Sequence, residues 1–256
     1  MTGWESLAVL LAGVGAGTIN TIVGSGTLIT FPVLLALGLP PVTANVSNTL
    51  GLVPGSVSGV IGYRRELVGQ GGRLLRLGTA SLTGGLLGAV LLTTLPGRAF
   101  DAIVPALILI ALVLVVIQPR VSLAMAARRK ERPGTPPGTE VGPLLLAGVF
   151  LAGVYGGYFG AAQGVLLLAL MGMLLADDMQ RINGAKNVLA LIVNGVAAVF
   201  FLFASTIDWT AVLLIAAGSV LGGQLGARVG RRLPPPVLRG VIVVVGLTAV
   251  TRLLVG

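Results

Sequence analysis

Long apolar blocks separated by short polar or glycine-rich interruptions run the length of the chain. They fall at roughly 7–23, 26–38, 42–62, 74–95, 100–118, 141–158, 162–176, 187–206, 209–227 and 237–255. Each is continuously apolar rather than alternating, which predicts helices and argues against a porin-type barrel. A bilayer crossing needs about 20 helical residues. The blocks 42–62, 74–95, 100–118, 187–206, 209–227 and 237–255 are near that length. The others form two adjacent short pairs, 7–23 with 26–38 and 141–158 with 162–176. Glycine-rich breaks interrupt them, Val23-Gly24-Ser25-Gly26 in the first and Gly160-Ala161-Ala162-Gln163-Gly164 in the second. A short pair can cross a thinned bilayer with tilt or dip in as a re-entrant hairpin. Block lengths alone fit both.

Composition changes the solvent. The 256 residues are 55% hydrophobic and only 10% charged, where a soluble domain carries about a quarter charged residues. Lipid is the medium that such a chain fits. The net charge of +9 does not mark a nucleic-acid binder, because the basic residues sit between apolar blocks and form no stripe on a polar face. With no cysteine and no histidine, thiolate chemistry, imidazole relays and a transition-metal site have no ligands to draw on. No nucleophile–base pair or paired carboxylate appears, so the chain is read as a non-enzyme with no cofactor. The N-terminus is a poor signal peptide, with Glu5 and no basic residue ahead of the first block.

The two halves resemble each other. Leu11-Ala12-Gly13-Val14 recurs as Leu151-Ala152-Gly153-Val154. Gly84-Gly85-x-x-Gly88 recurs as Gly222-Gly223-x-x-Gly226, Leu95-Pro96 as Leu233-Pro234, and Asn48 falls opposite Asn187. The spacing stays between 138 and 140. Between the halves, 119–140 is basic and rich in Pro and Gly, and reads as a flexible cytoplasmic linker. The organisation expected is therefore a first membrane repeat at 1–118, the linker, and a second membrane repeat at 141–256.

Charge bias orients the halves. The segment 63–73 carries Arg64, Arg65 and Arg73, whereas its counterpart near 207 carries Asp208. The following loop reverses this, with Arg98 and Asp101 in the first half and Arg228, Arg231, Arg232 and Arg239 in the second. Cytoplasmic loops are enriched in Lys and Arg, so equivalent loops face opposite sides, as inverted repeats require. Of the 17 basic residues this leaves only Arg98 and Arg252 outside. The expected fold is an all-α polytopic membrane protein of two inverted-topology repeats. Each repeat is a broken or re-entrant helical pair followed by three transmembrane helices, with both chain ends outside.

Irregular backbone survives at membrane depth only where it is buried in protein or lines water. The breaks are therefore the first candidate site. Gly24, Ser25, Gly26 and Thr27 lie at the first, with Asn20 just before it, and Gly160, Gln163 and Gly164 lie at the second. Helix ends there can aim free N–H groups at an anion, or the glycines can be packing surfaces with Ser and Thr bonded to their own helices. A second constellation is Asn45 and Asn48, facing Asn183, Lys186 and Asn187 in the repeat. Asn45 and Asn183 fit helix caps. Lys186 either snorkels to the interface or supplies positive charge to a cavity. Asn194, deep in an apolar run, is helix glue or a ligand contact. Asp177 and Asp178 read as solvated loop residues, and Asp208-Trp209 as a cap with an interfacial anchor.

These stretches resemble the sulfite exporter TauE/SafE family. The resemblance rests on LAGVGAGTINTIVGSGTLITFPVLLALGLPPVTANVSNT at 11–49, SGVIGYRREL at 58–67 and GGLLGAVLLTTLP at 84–96. It continues with LAGVYGGYFGAAQGVLLLALMGM at 151–173, the Lys186-Asn187 element and GGQLGARVGRRLP at 222–234. The resemblance implies a multi-pass permease of the bacterial cytoplasmic membrane that exports a small anion such as sulfite or an organosulfur anion. An anion channel or a non-transporting scaffold is the alternative. It also points to Gly24, Ser25, Gly26, Thr27, Asn45, Asn48, Gly160, Gln163, Gly164, Lys186 and Asn187 as site residues. The chain departs from the family pattern at Ala161-Ala162-Gln163, where many members carry more glycine. The implied partners are a small anionic solute and the lipid bilayer, with no nucleic acid; oligomeric state is left open.

Overall fold

The computed structural model describes residues 1–131, 141–175, 177–229 and the single positions 240, 243, 244 and 247. Within them the chain is helical: α1 (Gly3–Ile22), α2 (Thr27–Ala36), α3 (Pro41–Gly62), α4 (Gly71–Thr94), α5 (Gly97–Glu131), α6 (Pro143–Tyr158), α7 (Gln163–Leu174), α8 (Met179–Ala204) and α9 (Trp209–Val229). No strand occurs among the described residues. The block at 237–255 falls almost wholly outside them. Among them, α1, α4, α5, α8 and α9 are long and apolar enough to cross a membrane. Leu11, Ile110, Val113, Leu151, Leu213 and Leu221 turn outward, as residues facing lipid tails do. Helix α3 has the length, 22 residues, but buries Asn45, Ser47, Asn48, Thr49, Ser56 and Ser58. It is a polar spine enclosed by other helices.

Both short pairs are broken helices. Helix α1 ends at Ile22, and α2 restarts after the turn at Gly24 with only 10 residues; α6 and the 12-residue α7 do the same around Gly160. Helix α5 departs from expectation. It continues through Pro119 to Glu131, into the stretch read as linker. Proline forfeits one rung of the helix ladder, and the Ala, Met, Arg and Lys residues behind it are strong helix formers. Residues 132–140 lie outside the described set.

Small residues set the packing. Gly13 lies against Ile215, Gly17 against Ser219, and Gly222 against Val14 and Thr18, so α1 and α9 run side by side in parallel. Helices α6 and α4 repeat this, with Gly84 on Phe150 and Gly88 on Val154 and Tyr158. Helix α3 is parallel to α9, with Gly51 on Ile215, Gly55 on Ser219 and Gly62 on Ala227. By contrast α3 and α8 are antiparallel. Thr43, at the start of α3, meets Thr206, just past the end of α8, at 3.1 Å, and Tyr63, at the end of α3, meets Asn183 near the start of α8 at 2.8 Å. The likeness of the halves extends to burial: the pattern of buried, intermediate and exposed positions at 11–20 recurs without change at 151–160.

In one pair of helices the structural repeat is a helical turn out of step with the sequence match. Gly88 sits on Val154 O and Tyr158 N as Gly222 sits on Val14 O and Thr18 N, so Gly222 is its counterpart, not Gly226. A stripe with small residues every fourth position matches itself when slid by one turn, and that shift is invisible to a search for matching glycines.

Because lipid supplies no hydrophobic drive between helices, close backbone approach carries their association. A Cβ on Gly17 would stand 2.7 Å from Ser219 Cα, whereas one on Gly15 would find its nearest neighbour, Ile29 Cδ1, at 3.7 Å. Gly17→Ala is expected to cost about 1–3 kcal/mol as overpacking and to lower the thermal midpoint of the detergent-solubilised protein. Gly15→Ala leaves it unchanged. Equal midpoints for the two variants would contradict this packing.

Candidate functional site

The two breaks meet. Gly164 N donates to Gly24 O at 3.1 Å, and a Cβ on Gly24 would stand 2.8 Å from the carbonyl carbon of Gly164. Gly24 and Gly160 both adopt left-handed backbone, with φ +90 and +78, which glycine alone enters without a steric cost. Ala162, with φ 59, does so as a non-glycine residue, a strained conformation at the start of α7. The first break passes the second in the opposite sense: Gly24 touches Gly164, while Thr27 Oγ1 lies 3.8 Å from where a Cβ of Gly160 would stand.

Each broken helix is capped by the core helix of the other half. At the C-terminal end of α1, Lys186 Nζ donates to Asn20 O at 2.9 Å and Thr21 O at 3.1 Å. Asn187 Nδ2 also reaches Thr21 O, at 3.3 Å, and Asn183 Nδ2 at 3.5 Å. At the end of α6, Asn45 Nδ2 donates to Tyr158 O at 3.0 Å. The last carbonyls of a helix lack intrahelical partners and carry the negative end of its dipole, and a side-chain ammonium or amide answers both needs. Asn45 and Asn183 are thus not caps of their own helices, as their positions near helix starts suggested. They lie a full turn inside α3 and α8 and serve a different helix. Lys186 does not snorkel: it is 0% exposed, and its ammonium sits on backbone oxygens.

The N-terminal sides of α2 and α7 differ from these capped ends. Ser25 and Gln163 are 0% and 3% exposed, yet Ser25 Oγ and Gln163 Nε2 have no hydrogen-bond partner. Buried polar atoms without partners are rare and costly, and here they stand at helix starts, where the dipole favours anions. Gln163 packs on Gly156, whose missing side chain makes room for it. Nearby, Asn48 Nδ2 donates to Thr27 Oγ1 at 3.2 Å, and the Thr30 hydroxyl bonds Asn48 Oδ1. Gly26 lies against Ala16.

Asn20, Gly24, Ser25, Gly26, Thr27, Asn45, Asn48, Gly160, Gln163, Gly164, Lys186 and Asn187 therefore gather around the breaks, Asn20 through its carbonyl. Asn194 does not join them: it is half-buried, with no described hydrogen bond. Thr18 bonds Val14 O of its own helix. Thr30 and Tyr158 also belong to the network, though nothing in their residue types singled them out, and Thr21, a polar residue ahead of the first break, joins it through its carbonyl.

Two further clusters involve the loops and helices that carry the breaks. In one, Phe31, Phe100 and Phe159 stack edge to face, with ring centres 5.2 Å (Phe31–Phe159) and 6.2 Å (Phe100–Phe159) apart. In the other, Asp177 receives Arg73 at 2.6 Å and Arg181 at 3.0 Å, and Arg181 also reaches Val68 O. Asp177 is therefore not a solvated loop residue. Burial pushes its carboxyl up, but the Arg73 hydrogen bond, the Asp178 N–H and the charges of Arg73 and Arg181 outweigh that and hold it below the usual range. Asp208 does cap α9, accepting from Ala211 N at 2.8 Å, with Trp209 exposed beside it.

Broken helices packed inside a bundle of membrane-length helices define a polytopic α-helical membrane protein. The sulfite exporter TauE/SafE family matches residues 9–253, and the chain belongs to that family, whose members are transporters and not enzymes. It is 30% identical to a "Probable membrane transporter protein ORF9" of Sinorhizobium sp over 93% of this chain and 88% of the relative. It is 26% identical to the "Probable membrane transporter protein YfcA" of Escherichia coli (strain K12), over 93% and 86%. A "Probable membrane transporter protein" of Haemophilus influenzae is 27% identical over 94% and 92%.

Two outcomes follow. Replacing Lys186 with Met leaves Asn20 O without its described partner, a cost of about 1–3 kcal/mol, while Thr21 O keeps Asn187 Nδ2. Lys186→Met should melt well below wild type, while Asn194→Ala melts with it; unaltered melting of Lys186→Met would rule out the capping role. For Asp177 the folded pKa lies below the unfolded one, so its stabilisation is complete above the ordinary carboxylate pKa of about 4 and is lost as pH falls through the lowered value. Thermal melts of wild type should therefore lose stability on acidification below about pH 4. Asp177→Asn should start lower at neutral pH and respond less to acid, and parallel acid limbs would contradict this.

Proposed function

We propose that this protein is a secondary transporter that exports a small anion, such as sulfite or an organosulfur anion, across the bacterial cytoplasmic membrane. The solute binds at the N-terminal ends of α2 and α7. The observation that carries this reading is the pair of buried, unpartnered polar atoms, Ser25 Oγ and Gln163 Nε2, at the two apposed helix starts. An anion accepts hydrogen bonds from such groups and meets the positive ends of two helix dipoles. Family membership supports an anionic solute.

In this reading the two halves are inverted repeats, each a broken or re-entrant helical pair followed by three crossings, of which the last, at 237–255, lies almost wholly outside the described residues. The antiparallel run of α3 and α8 supports this, as does the parallel pairing of α1 with α9 and of α6 with α4. The loop at 63–70, with Arg64 and Arg65, and the Arg73–Asp177–Arg181 cluster lie on the cytoplasmic side. The N-terminus and the Thr43–Thr206 contact lie outside. A carrier fits better than a channel, because the residues of the breaks, Ser25, Thr27 and Gln163 among them, are buried. A channel in an open state would hold a continuous wet path.

Sulfite efflux from proteoliposomes tests this. Wild type should give saturable flux, and Gln163→Leu and Ser25→Ala should each lower it by about tenfold, the loss of roughly one buried hydrogen bond, while the thermal midpoint holds. Full flux in both variants would remove the proposed site, and flux that never saturates would favour the channel.

A further inference from the structure

The broken ends of α1 and α6 are chemically unequal. At α1 the carbonyl end holds the Lys186 amino group, with no described hydrogen bond from it to a carboxylate. Backbone oxygens and the dipole of a broken helix are its entire described coordination. The corresponding end of α6 has the same construction without a cation. Tyr158 O receives only the neutral amide of Asn45. Whether Asn45 is matched to Asn183 or Asn48 to Asn187, the position opposite Lys186 is filled by a neutral residue, Asn48 or Ser47.

Oxygen atoms gather at this second end. Asn45 is 1% exposed, and its Oδ1 has no partner. Thr27 Oγ1 comes close to Gly160, just past Tyr158, and is held there by Asn48 Nδ2. Asn48 Oδ1 and the Thr30 hydroxyl lie next to it. Asn183 repeats the posture of Asn45 in the other half, with its Nδ2 toward Thr21 O and its Oδ1 unpaired. Each broken end thus has an asparagine whose amide nitrogen faces the last carbonyls and whose amide oxygen is unpartnered, and at one of the two ends an ammonium joins it.

We propose that the C-terminal end of α6 is a binding site for a monovalent alkali cation, held by Tyr158 O, Asn45 Oδ1 and Thr27 Oγ1, which does at α6 what Lys186 does at α1. The ligands are neutral oxygens, which suits Na+ or K+; a divalent ion calls for carboxylates, and none bonds these groups. Unwound carbonyls and half-helix C-termini are suited to holding such ions beside an anion site. Binding requires the Asn45 amide to turn so that Oδ1, rather than Nδ2, meets Tyr158 O. The ion would tie the Asn45–Tyr158 contact between the halves to the occupancy of the breaks and so supply a coupling ion, in a membrane interior where no Asp, Glu or His lies deep in an apolar block to carry protons.

The test needs no transported solute, so its failure is separate from failure of the anion site. Purified full-length protein is melted in choline chloride, with Na+ or K+ replacing choline at constant chloride, and 22Na+ binding is measured by equilibrium dialysis. Wild type should show a saturable rise in midpoint with at least one of the two ions, as linkage requires of a ligand that binds the folded state. Thr27→Val should weaken the apparent affinity about tenfold or more, the loss of one direct ligand. Asn183→Leu should keep the wild-type response, since Lys186 already serves α1. Asn45→Lys, which brings its own ammonium, should fold and melt independently of both ions. A wild-type midpoint indifferent to Na+ and K+, or Thr27→Val binding as wild type does, overturns the proposal.

Discussion

Everything distinctive here depends on two backbones touching. Gly164 N on Gly24 O joins two interrupted helices at a point where neither could be interrupted alone. An unwound turn inside a bilayer exposes peptide groups that lipid cannot satisfy. The breaks are tolerable because each finds its partners in the other half: the two turns bond each other, α8 caps α1, and α3 caps α6. The glycines are a consequence, since a side chain at Gly24 would occupy the backbone of Gly164.

Cross-capping also explains how a lysine can be buried without a carboxylate. Moving an ammonium into a low-dielectric interior is expensive, and the usual remedy is an acid close by. Lys186 instead sits on the carbonyl end of α1, where partial charges of the last turn converge. That arrangement fixes the polarity of the centre. Carbonyl ends of α1 and α6 favour cations, while the starts of α2 and α7 favour anions, and both kinds of end lie within one small volume.

The helical class, the membrane setting and the two breaks were legible in the sequence, because each follows from block length and from where glycine interrupts it. Much of the site was legible too, since Ser25, Gln163, Asn48 and Lys186 are polar residues in apolar surroundings. What the polar residues do was not. Asn45 and Asn183 read as caps of their own helices, because one-dimensional spacing shows only local partners, whereas their partners lie 113 and 162 residues away. Asp177 read as a loop residue because Arg73, 104 positions distant, is its partner. The one-turn slip of α9 against α4 was hidden by the self-similarity of the small-residue stripe. The helical tail of α5 was masked by the prolines around it.

The rest of the centre hangs on α3 and α8 running in opposite directions. Cysteine pairs test it on a background that has none. Thr43→Cys with Thr206→Cys should form an intramolecular disulfide in membranes, because the two hydroxyls, which stand where the sulfurs would, meet at 3.1 Å. Tyr63→Cys with Asn183→Cys, where the tyrosine ring fills the gap, should be joined by a short bifunctional thiol reagent. The swapped pair, Thr43→Cys with Asn183→Cys, should not. Cross-linking of the swapped pair in place of the first two would mean that the helices run in the same direction, and the account of the breaks would fall with it.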